Sequence, residues 1–111
     1  MTQEKGFLTA DMGELEPTQF VTELARYGDF DTQAVLTMTQ QEHDSLEHAA
    51  GQQAYRKQLE AMIRWIDDDV RAKRVSRQQV SHLVQQAMDE GVAERSFFSS
   101  LNHRYNALHN Q

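Results

Sequence analysis

The chain has no cysteine, which excludes disulfides, thiol catalysis and thiolate-ligated zinc and fits a reducing compartment. Proline occurs once, at Pro17, so beyond it no ring interrupts a helix. Long hydrophobic runs are missing too. None approaches the roughly 20 apolar residues that span a bilayer, and the first residues (Met1, Thr2, Gln3, Glu4, Lys5) lack a basic region followed by an apolar one. The expectation is a soluble cytoplasmic chain with no membrane partner. A glycine-rich phosphate loop is also missing.

What is present is a length of 111 residues, enough for one domain with a modest core, and a net charge of −6 that is unevenly spread. Residues 1–48 carry ten acids against Lys5 and Arg26, a net of −8, whereas the remainder carries nine bases against seven acids. Phosphate backbones repel such a chain, so nucleic acid is a disfavoured partner.

Residues 1–16 sustain no period and read as a flexible acidic arm, leaving 17–111 as a single helical domain. Pro17 suits a first helical turn, and Phe20, Leu24 and Tyr27 follow on one face until Gly28, which predicts a helix over 17–27. The stretch Phe30 to Met38 is ambiguous between helix and strand. Thr39 and Glu42 match a capping box, so a new helix is expected from about residue 40. It either runs to Arg74, roughly 50 Å at 1.5 Å per residue, or breaks near Gly51. Ser76 and Gln79 form a second capping box with Val75 and Val80 as its hydrophobic staple, opening a helix that ends at Gly91. A last helix over 93–109 aligns Phe98, Leu101, Tyr105 and Leu108. The fold class is therefore an all-α small helical bundle with one long helix.

The segment Glu42 to His48 (EHDSLEH) has two i, i+4 pairs, His43 with Glu47 and Asp44 with His48, but about 100° of helical rotation separates them. They read as a solvated face, and no metal or cofactor is expected. Asp67, Asp68 and Asp69 point in successive directions and are expected to pair with Arg64, Arg71 and Lys73. Ser81 with His82, and Ser99 or Ser100 with His103, lack an orienting acid and an oxyanion hole, so no catalytic residue is assigned. The basic run Arg71, Lys73, Arg74 and Arg77 supports a rival reading as a nucleic-acid-binding regulator, with three aspartates one turn upstream against it.

What remains is surface for a protein. Tyr55, Leu59, Met62, Ile63, Ile66 and Val70 form a stripe on the long helix that its short neighbours do not obviously cover, and they are assigned to a homodimer seam. Trp65, Phe97, Phe98 and Tyr105 belong to the residue types enriched at interfaces and are assigned to partner binding. In size, acidity and helical pattern over the whole chain, though without a diagnostic motif, it resembles the small bacterial quorum-sensing anti-activators of the QslA type. That resemblance implies a non-enzymatic protein that sequesters a folded transcriptional activator, and it assigns no residue. A secretion or folding chaperone is the other alternative.

Overall fold

The computed structural model describes residues 13–93 and 96–110. Most of the expected arm, residues 1–12, lies outside them. Residues 13–16 are fastened to a later helix: the Leu15 N–H donates to the Arg56 carbonyl at 3.1 Å, and Glu14 accepts from Gln53 and Arg56.

Helix α1, Pro17–Leu24, starts as the sequence suggests, with proline at its first position and the Glu16 N–H donating to the Gln19 side chain at 2.9 Å. It tightens into a 3₁₀ turn, Ala25–Tyr27, that stops at Gly28. A Cβ at Gly28 would stand 2.3 Å from the Ser81 Cβ, so glycine is needed for the close approach of this turn to a later helix.

The expected start at Thr39 is wrong. Helix α2 spans Thr32–Asp44 and is capped by Asp31, whose carboxylate accepts from the Ala34 N–H at 3.1 Å. Thr39 sits buried in mid-helix, its hydroxyl donating to the Val35 carbonyl at 2.7 Å. Of the two readings of the long helix the break is the one found: the chain leaves helix over residues 45–48, ahead of Gly51, and α3, the longest helix, is Ala49–Arg71. Its 23 residues rise about 34 Å, within the 43 Å longest dimension of the molecule.

Helix α3 ends in a Schellman motif, with Arg74 N–H on the Asp69 carbonyl at 2.8 Å and Lys73 N–H on the Val70 carbonyl at 3.1 Å. Lys73 occupies the left-handed position, φ 63°, where glycine is the usual residue. The next cap matches the sequence reading: Ser76 N–H donates to Gln79 Oε1 at 2.8 Å, and Gln79 N–H donates to Ser76 Oγ at 3.1 Å. Val75 and Val80 beside it are both buried. Helix α4, Arg77–Ala93, continues through Gly91, and α5 is Phe97–His109 with Ser96 as its cap.

These five helices form an all-α bundle, and no strand occurs among the described residues. α4 and α5 make the most extensive pair, α1 packs on α2 and α3, and α2 touches both α3 and α5. The core draws on every helix, including Phe20, Leu24, Val35, Leu59, Ile66, Val84 and Leu101. The residues assigned to a dimer seam behave differently from that assignment. Leu59, Met62, Ile63 and Ile66 are at most 4% exposed within the single chain, while Tyr55 and Val70 pack against this core partly buried. Short helices do cover the stripe, since α3 is 23 residues long rather than 35.

Candidate partner-binding surface

A carboxylate at the carboxyl end of α3 organises the candidate site. Asp69 is 1% exposed and accepts from three side chains: Tyr105 Oη at 2.5 Å, His109 Nε2 at 2.6 Å and Arg74 Nε at 2.8 Å. Burial pushes the Asp69 carboxyl up, but hydrogen bonds from Tyr105, Arg74 and His109 outweigh it and hold it below the usual carboxylate value. Burial, reinforced by the bond to Asp69, pushes the Tyr105 phenol well above its ordinary range.

Trp65 lies one turn before Asp69 and rests on this network. Its ring meets Tyr105 edge-on, with centroids 4.5 Å apart at 83°, and stacks tilted on His109 at 4.8 Å. Two of the three donors that satisfy Asp69 therefore also fix the indole. Such an aromatic is preorganised, so a partner that buries it need not order it first.

The backbones of α3 and α5 stand apart and are bridged by large side chains, Tyr55 against Phe98 at 5.7 Å and Trp65 against Tyr105. Between the bridges lies a cleft of about 390 Å³, floored by Met62, Trp65 and Phe98 and rimmed by Gln58, Ser99 and Asn102. A second, open groove of about 560 Å³ runs along the other side of Trp65 beside Lys57, Glu60, Arg64 and Asp68. Trp65 is the ridge between them, one flank apolar with a neutral polar rim and the other charged with both signs.

The other partner-binding assignments are corrected. Phe97, Phe98 and Tyr105 are 1%, 8% and 0% exposed, so they build the core, and Phe98 reaches the surface only as cleft floor. Sequence reasoning gave Asp69 and Glu42 other roles and gave His109 none. Asp69 falls in phase with Leu59, Met62 and Ile66, which was the signal that it points inward; its exposed base is Arg74 rather than Lys73, and Tyr105 and His109 complete the network. Its neighbours diverge, Asp67 to the Tyr27 hydroxyl and Asp68 to Arg71 at 3.4 Å, while Arg64 pairs with Glu60. Burial and the bond to Asp67 push the Tyr27 phenol up to about 12.

The polar segment 42–48 is likewise not all solvated. Glu42 accepts from the Tyr55 hydroxyl at 2.6 Å and from the N–H groups of Phe97 and Phe98, capping α5. His43 is 8% exposed and lies between Asp44 at 3.1 Å and Arg56 at 2.8 Å. Because Arg56 can only donate, His43 Nε2 accepts and its Nδ1–H faces Asp44. A histidine so committed has no lone pair left for a metal, and among the described residues no group of three or more potential ligands gathers.

No family model, no curated protein and no solved structure matches this chain. Among the described residues, no helix is long and apolar enough to cross a membrane.

Proposed function

We propose that this chain is a non-enzymatic regulatory protein of the cytoplasm that binds and sequesters a folded partner protein, seating an apolar helix face of that partner in the cleft beside Trp65. One observation carries the reading: the sole tryptophan is held by a buried carboxylate network at the lip of a cleft that has Met62 and Phe98 on its floor and uncharged polar side chains on its rim. A few central aromatics supply most of the affinity at protein interfaces, and a rim without charge suits an amphipathic helix more than a charged strand. The resemblance to quorum-sensing anti-activators makes a transcriptional activator the first partner to test.

Affinity capture from the native host, with wild-type and Trp65→Ala chains in parallel, tests the reading. A folded regulator retained by the first and lost from the second supports it. Retention by both chains, or recovery of nucleic acid or unfolded export substrates instead, turns the function toward the rival classes. We keep the homodimer as part of the proposal: with Leu59, Met62, Ile63 and Ile66 buried in the single chain, self-association through α3 would use its outward face, where Ala54, Gln58 and Ala61 lie exposed beside Trp65. Light scattering at micromolar concentration reads it, and a dimer that Trp65→Ala dissociates would assign the cleft to a second copy.

A further inference from the structure

The open groove on the charged flank of Trp65 starts at Gly13, the first described residue. Gly13 lines its Lys57 end, and Ala61, Arg64, Trp65 and Asp68 carry it along α3. A Cβ at Gly13 would stand 3.9 Å from Lys57 Cγ. The next two residues hold the chain in this place. The Leu15 N–H donates to the Arg56 carbonyl at 3.1 Å, the Leu15 side chain packs on the core, and Glu14 accepts from Arg56 Nε at 2.8 Å and Gln53 Nε2 at 2.9 Å.

This clasp gives the chain a direction. Residues 14 and 15 lie against Gln53 and Arg56 and residue 13 against Lys57, so the sequence read backwards from Leu15 travels toward the carboxyl end of α3 and into the groove. Residues 1–12 (MTQEKGFLTADM) carry side chains that suit it. From Lys57 to Trp65 the helix rises about 12 Å, a distance that roughly four extended residues cover. Leu8 and Phe7, five and six positions before Gly13, therefore reach the indole with chain to spare. Asp11, two positions before Gly13, falls beside Lys57. Exposed Ala61, one turn before Trp65, leaves that flank of the indole open to an apolar neighbour.

We propose that residues 7–12 of this chain dock in the groove, with Phe7 and Leu8 against the Trp65 indole and Asp11 beside Lys57. A segment tethered at the mouth of its own groove acts at an effective concentration on the order of millimolar, so modest apolar burial seats it and a foreign segment has to outbind it. The inference stands apart from the function proposed for the cleft, because groove and cleft lie on opposite sides of Trp65. A partner in the cleft would meet an indole already backed by the arm.

One tryptophan and no cysteine make the whole chain its own probe. A nitroxide attached through Thr9→Cys should quench about half or more of the Trp65 emission at submicromolar protein, and adding Phe7→Ser and Leu8→Ser to the labelled chain should cut that quenching at least about threefold. These changes lie ahead of the clasp, and circular dichroism should show the helical signal unchanged. The same label at Ser45→Cys is the control, since Ala49, where α3 begins, already lies about 24 Å of helix rise from Trp65. Quenching no greater than in that control, or quenching that the double change leaves intact, would overturn the proposal. Quenching that grows with protein concentration would also overturn it, by giving the groove to the arm of a second copy.

Discussion

Helix α5 is tied at each end by a carboxylate from another helix, and the two ties are built on different groups. At the amino end, Glu42 of α2 receives the backbone N–H groups of Phe97 and Phe98 together with the Tyr55 hydroxyl. Those N–H groups exist whatever side chains α5 carries, since the first turn of any helix leaves its amides unpartnered. At the carboxyl end, Asp69 of α3 receives only side chains, Tyr105, His109 and Arg74. Each of these is a choice of residue, and two of them hold Trp65. The first tie is architecture; the second links architecture to the surface proposed to recognise a partner.

Mutation should separate the two. Asp69→Ala leaves a buried phenol hydroxyl and two cationic or polar donors without their acceptor, and a loss of about 3 kcal/mol is expected in urea unfolding. Trp65 emission should shift as well, because its supports come loose. Acid sharpens the same contrast. The folded Asp69 carboxyl titrates below its unfolded value, so its contribution is complete above the ordinary carboxylate range and is lost as pH falls through the lowered value. Between about pH 4 and pH 2, stability should therefore fall more steeply in wild type than in Asp69→Ala.

Glu42→Ala should cost less, about 2 kcal/mol, by uncapping α5 and stranding the Tyr55 hydroxyl, while leaving the native Trp65 emission unchanged. Ser96→Ala, which removes only the hydroxyl that accepts from the Ser99 N–H at 3.1 Å, is expected to cost about 1 kcal/mol with the same unchanged emission. Equal emission shifts in the Asp69 and Glu42 variants would break the distinction between the ends.

Local chemistry explains which elements were legible in the sequence. The Ser76–Gln79 box is a contract among neighbours and formed as written. The Thr39–Glu42 pattern is the same string of residue types, but Thr39 lies in phase with Val35 and His43 on the buried face of α2, and burial of that face decided the outcome. Glu42 was then free to cap a helix more than fifty positions away, which no local pattern reveals. Phe97, Phe98 and Tyr105 were misplaced because aromatics enriched at interfaces are the same residues that fill cores. Trp65, assigned with them, lies beside the apolar stripe of α3 and is partly exposed. What holds it became visible only once the chain had folded and brought His109 back to Asp69, forty residues away.

The most direct test of the central claim is calorimetric titration of the captured partner into wild-type and Trp65→Ala chains, each shown by circular dichroism to be folded. A central aromatic anchor predicts at least about a thirtyfold loss of affinity in the variant, with its helical signal retained. Undiminished affinity in a folded Trp65→Ala chain would contradict the account.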